Sequence, residues 1–127
     1  MLVNITAGEQ LNTLLDDHVQ QWVPFNEAMI TGTYTEELFS ETCCIQRADT
    51  HQVSVEEYKT KLQGFLNVLH SIDRYDTIVL WFGNEPFCAK NTEVVIQTLK
   101  NYQFRGKLIL HTVDEITGII QSTRQIP

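Results

Sequence analysis

Three short stretches place carboxylates where a chain could use them. "TAGE" (6–9) ends in Glu9, "FNEAM" (25–29) carries Glu27, and "FGNE" (82–85) ends in Glu85 beside Asn84. Each stretch follows an apolar run, and two of the three hold a glycine, Gly8 and Gly83, that permits close backbone approach. Carboxylates so placed can act as general bases, accept from hydroxyl-rich ligands, bind cationic ligands or hold a hard ion such as Mg²⁺. Each also has an ordinary structural use. A glutamate in a first helical turn complements the macrodipole, and an Asn before Pro is a common cap. Glu9 and Glu85 at helix starts would repel a phosphate. Neither G-x-G-x-x-G nor G-x-x-x-x-G-K-[ST] occurs, so standard nucleotide sites are disfavoured.

The bulk numbers narrow the classes. The 127 residues suit a single domain, 1–127, with a core over 1–115 and a tail over 116–127. Hydrophobic content of 43% with 20% charged residues reads as globular. A net charge of −7, with no cluster of Lys or Arg, argues against nucleic acid as a partner. No apolar run reaches membrane length, and no basic n-region of a signal peptide is seen, so no membrane partner is expected. Cys43, Cys44 and Cys88 make an odd, poorly spaced set that fits a reducing cytoplasm better than a disulfide framework. Cys88 reads either as a thiol activated by a helix N-terminus or as a small buried hydrophobe, and Cys43 and Cys44 read as packing. His18, His51, His70 and His111 are scattered and predict no zinc site.

The elements that must position these residues alternate. Strands are expected at 2–6, 19–25, 77–82 and 106–113, with Pro24 confining the second to an edge or a strand exit. Helices are expected after Gly8 (Leu11, Leu14, Leu15), over 36–47, over 55–72 and over 86–102. Ser54 and Glu57 form a capping box for the third, and Gly64 within it marks close packing on the sheet. Pro86 suits the first turn of the fourth, capped by Asn84 or Glu85, with Phe87, Val94, Val95, Leu99 and Tyr102 inward. The tail "DEITGIIQSTRQIP" fits no element and shows no stop signal, as if continuing into a longer protein. This alternation predicts an α/β fold, a three-layer Rossmann-like or flavodoxin-like parallel sheet of about four strands, order 2-1-3-4, with helices on both faces. At the switch point between strands 1 and 3 the three carboxylate loops would share one crevice, with Trp81 as core or wall.

At these stretches the chain resembles a bacterial family known as domain of unknown function 1835. "NITAGE" (4–9) is similar to its aliphatic-Thr-Asn-Gly-Asp start. "FNEAMITGT" (25–33) is similar to its Trp-Arg-Glu-Ala-Leu-x-Glu-Gly-Pro stretch. "LWFGNEPFCAKN" (80–91) is similar to its Leu-Trp-Phe-Glu-His-Asp-x-Phe-Cys-Gln-x-Asn segment, keeping Leu80, Trp81, Phe82, Phe87, Cys88 and Asn91. Arg47 and "SVEEY" (54–58) add to the likeness, which covers residues 1–115. The chain departs from it at Gly83-Asn84-Glu85, which replaces Glu-His-Asp, and at Asn26, which replaces the Arg. The resemblance implies where a site lies and supplies no activity.

Two function classes result. The first is a small-ligand-binding or metal-assisted hydrolytic domain using Gly8, Glu9, Glu27, Arg47, Trp81, Asn84, Glu85 and Asn91. Glu9 or Glu85 would be the base or metal ligand, and Arg47 would hold an anionic substrate group. The second is a non-catalytic interaction or regulatory module with a protein partner, presenting Met29-Ile30 or "GIIQ" (118–121). The absent motif histidine and the net charge of −7 favour it.

Overall fold

A computed structural model of the chain describes residues 1–8, 11 and 22–127. Five strands, β1 (Leu2–Thr6), β2 (Trp22–Pro24), β3 (Thr77–Phe82), β4 (Lys107–Val113) and β5 (Ile120–Ile126), form one sheet in the order β2-β1-β3-β4-β5. β2, β1, β3 and β4 are parallel, and β5 returns antiparallel on β4. The 2-1-3-4 order expected from sequence is present, and the tail adds the fifth strand. The tail was illegible because its alternation is erased: every residue of β5 except Ile126 is exposed. A turn at its start is closed by Asp114, whose carboxylate accepts from the N–H groups of Ile116 and Thr117, and by Gly118 at φ 76°.

Among the described residues, four α-helices have full bounds: α1 (Glu41–His51), α2 (Val55–Lys61), α3 (Gln63–His70) and α4 (Pro86–Asn101). Successive side chains of a strand point to opposite faces. Ile78, Leu80 and Phe82 therefore share one face with Val3 and Ile5 of β1 and with Leu108 and Leu110 of β4. The apolar sides of all four helices meet that face in one core, through Cys44 and Ala48 of α1, Tyr58 of α2, Phe65 and Leu69 of α3, and Val95 and Leu99 of α4. Asn4, Thr6, Val79 and Trp81 point to the other face. The helix and the strand start expected over 9–21 lie outside the described residues, except Leu11, which is buried.

Three expectations need correction. The helix over 36–47 begins later, at Glu41, because Ser40 caps it by accepting from the Cys43 N–H at 3.2 Å. Phe39 before it stands at φ 61° and turns into the core. The helix over 55–72 is broken at Leu62 (φ −104°, ψ 9°), where the chain is re-aimed so that Leu62 and Phe65 are fully buried. Gly64 just beyond the break faces Val23 of β2, whose Cγ1 would lie 3.2 Å from an added Cβ, so close packing on the sheet is present. Phe87 is 45% exposed, and Cys88 takes the inward position instead.

Candidate functional site

The site is built from the chain that leaves β2. The Phe25 N–H donates to Thr6 O at 2.9 Å, and the Phe25 ring packs edge-on against Phe39 and Phe65. This anchor turns the following residue pair so that Glu27 points inward. Arg47, on α1, meets it with no solvent exposure at either side chain. A guanidinium has five N–H donors in a fixed fork, and all are used here. Nε donates to Glu27 Oε2 (2.9 Å) and Nη2 to Glu27 Oε1 (3.0 Å) and Ala28 O (3.0 Å). Nη1 donates to Thr31 O (2.7 Å) and Thr33 O (3.0 Å). Gly32 lets both flanking carbonyls face the same cation: its φ is +72°, and a Cβ there would stand 2.5 Å from Thr50 Cγ2.

Three more side chains close the cluster. The Tyr58 hydroxyl, from the first turn of α2, donates to Glu27 Oε2 at 2.5 Å. His51 Nε2, in the last turn of α1, lies 2.6 Å from Glu27 Oε1. Asn91 on α4 is fully buried; its Oδ1 accepts from the Met29 N–H (2.8 Å) and its Nδ2 donates to Glu27 O (2.8 Å). Burial alone would raise the Glu27 carboxyl, but the bonds from Arg47, Tyr58 and the Ala28 N–H, with the Arg47 charge, outweigh it and hold the group at about 2. Burial would lower the Arg47 guanidinium, and its bonds and charge pairing with Glu27 raise it. Burial and the bond to Glu27 push the Tyr58 phenol far up. The cluster is thus carboxylate, guanidinium and neutral phenol. Because an ionised carboxylate only accepts, the imidazole donates to it through Nε2–H, which leaves the Nδ1 lone pair for other use.

The residues expected at the site divide. Glu27, Arg47 and Asn91 come together in this cluster. Gly8 borders β1, accepting from the Thr6 hydroxyl at 3.3 Å. Trp81 is half-buried, donates to Asn4 Oδ1 at 2.9 Å, and its ring meets Trp22 edge-on and His111 at a tilt. Asn84 and Glu85 are exposed. Glu85 is the N-cap of α4 by backbone geometry and makes no side-chain cap bond. Gly83 and Asn84 line a different groove, shared with Thr92, Ile96 and Arg124. Gly83 has no left-handed φ, and the close approach expected there is made by Glu115, whose Cγ would lie 2.5 Å from an added Cβ. Glu9 lies outside the described residues. Among the described residues no group of three or more His, Cys, Asp and Glu could hold a metal ion. Cys88 is buried, donates to Glu115, and is pushed up to about 12 by burial and that carboxylate, so it is a packing thiol.

Sequence reasoning missed His51 and met Tyr58 within "SVEEY" (54–58), with no role at the site. One signal was available: Arg47 and His51 are four apart, hence on one face of a helix.

Glu27, His51 and Tyr58 form one wall of a cleft of about 360 Å³, completed by Asn26, Ala28, Val53 and Lys61. Asn26 is tied across it by a bond from its amide to Lys61 O at 3.1 Å. Fold and site together define an α/β protein with a buried carboxylate cluster that presents an imidazole to an open cleft. No family model matches the chain, and no curated protein or solved structure does. Among the described residues no helix is long and apolar enough to cross a membrane.

Proposed function

We propose that the chain is a small-ligand-binding domain whose ligand occupies the cleft of Asn26, His51, Val53, Tyr58 and Lys61, with His51 as the group that meets it. One observation carries this reading: His51 Nε2 is held 2.6 Å from the ionised Glu27, and the ring lines the cleft with 29% of its side chain exposed. A carboxylate that fixes the tautomer and offsets the charge of an imidazolium turns the opposite nitrogen into an oriented base. In the hydrolytic form of this reading, Nδ1 takes a proton from a water or a ligand hydroxyl, and Glu27 stabilises the cation that results. Glu27 itself stays out of the proton transfer. The likeness to domain of unknown function 1835 belongs to the same proposal. Its support is that Glu27, Arg47, Tyr58 and Asn91, quoted from four separate segments, form one network.

A thermal-shift panel of small anions, sugars, nucleotides and divalent metals tests the reading, run on the wild type and on His51→Gln. A compound at 100 times its Kd should add about 2.7 kcal/mol. Stabilisation of the wild type that His51→Gln loses supports the site. Hits that both proteins share equally would place the ligand elsewhere.

The second reading, an interaction module, is favoured by Ile116 and Ile119 at the β4–β5 turn, which are 85% and 65% exposed. Light scattering and a pull-down on an Ile116→Ser, Ile119→Ser variant test it: association that the variant keeps would count against that surface.

A further inference from the structure

We infer that the cleft beside His51 takes a small molecule bearing an oxyanion, a carboxylate or a phosphate monoester, and that Lys61 supplies its counter-charge. The inference rests on the reading that this cleft is the ligand site and names the ligand's class.

The acids that favoured hydroxyl-rich or cationic ligands are not available there. Glu27 Oε1 already accepts from Arg47, His51 and the Ala28 N–H, and Oε2 from Arg47 and Tyr58. No lone pair is left for a sugar hydroxyl or a metal. Arg47 is spent as well, so it cannot hold an anionic substrate group in the way its residue type implied. Two groups in the cleft remain uncommitted. The Lys61 ammonium is exposed and has no hydrogen bond or ion pair among the described residues, and the second nitrogen of His51 has no partner there either. Among the described residues lining the cleft, Lys61 is the sole charged one apart from the neutralised Glu27. In its protonated form the imidazole donates through both nitrogens, Nε2–H to Glu27 and Nδ1–H to an oxyanion, with the buried carboxylate balancing the added charge. Ala28, Val53 and the Tyr58 ring make the rest of the wall apolar. About 360 Å³ holds a small ligand with a short apolar body. The chain's net charge of −7 repels anions at long range, so the selectivity has to come from these local groups.

The test is an NMR amide-shift titration of the full chain at fixed ionic strength with inorganic phosphate, propionate, glucose and trimethylammonium. The expected result is a saturable shift at Asn26, Ala28, His51 and Lys61 from phosphate or propionate, and none from glucose or trimethylammonium. Lys61→Ala should then weaken the anion by about fivefold, the worth of one exposed ion pair, while the remaining spectrum stays folded. Arg124→Ala, which removes the cation of the other groove, should leave it unchanged. Saturable shifts at the cleft from glucose or trimethylammonium alone would overturn the oxyanion class and keep the site. Anion shifts that centre on Arg124, or no saturable shift from any of the compounds, would overturn the inference and the site together.

Discussion

Replacing Arg47 by Lys keeps the charge and removes the fork, and the structure sets how much that matters. The guanidinium satisfies five acceptors on the carboxylate of Glu27 and the carbonyls of Ala28, Thr31 and Thr33. An ammonium has three donors on one point, so at least two of these five bonds are lost. A hydrogen bond involving a charged group is worth about 1.5–3 kcal/mol, giving about 3–6 kcal/mol for the two. Arg47→Met, which also removes the charge and leaves the buried carboxylate unpaired, is expected to cost about 3–5 kcal/mol. We therefore expect Arg47→Lys to cost about 3–5 kcal/mol, a large part of a total near 5–15 kcal/mol. At about 4 °C per kcal/mol for a chain of this size, Tm falls by about 12–20 °C. Urea unfolding followed by far-UV circular dichroism measures it. Glu27→Gln combined with Arg47→Met removes both charges and should be less damaging than Arg47→Met alone, because no unpaired buried carboxylate is left. A Lys variant within about 1 kcal/mol of the wild type would refute the claim that the fork organises this loop.

Glu27 sets an acid limit: its folded value of about 2 lies below the ordinary 4.5, so its contribution is full above about pH 4.5 and is lost as pH falls towards 2. That gap corresponds to about 3 kcal/mol, and Glu27→Gln should flatten the stability profile between about pH 5 and 2; an unchanged slope would mean other groups carry it. Gly32→Ala should cost about 2 kcal/mol or more, since a left-handed φ is unfavourable for Ala and its Cβ meets Thr50 Cγ2 at 2.5 Å; adding Thr50→Ala should recover part, and no loss at all would show that the loop rearranges freely. Cys88 should react with iodoacetamide at neutral pH at least about a hundredfold more slowly in the native chain than in urea, because it is buried and its thiol is held at about 12; ready alkylation would mean that α4 opens at its first turn.

What the sequence made legible follows from periodicity. Ile78, Leu80 and Phe82 alternate with Val79 and Trp81, and strands separated by helical stripes restrict the order to the one observed across β2-β1-β3-β4. Where the pattern carries no periodic signal, nothing could be read. β5 is an antiparallel edge with exposed side chains, and its pairing is decided by the Asp114–Gly118 turn and by the backbone of β4. The break at Leu62 hides inside an unbroken apolar stripe, because a kink changes where the stripe points without changing its spacing.

The site was half legible for a related reason. Residue type and position bring Glu27 to the end of an edge strand, where a carboxylate reads as a reagent facing solvent. Whether it is a reagent or a buried strut depends on how many donors surround it, and those come from Arg47, twenty positions on, from Tyr58 and from the loop's own backbone. Local pattern holds little record of such an arrangement; a lone Gly32 and the four-residue step from Arg47 to His51 are its traces. Once the donors are counted, the chemistry moves one residue outward. The carboxylate keeps its charge fixed, and in the function proposed above the imidazole beside it is the group that meets a ligand, with the exposed ammonium of Lys61 favouring the opposite sign of ligand from the one the acids alone would select.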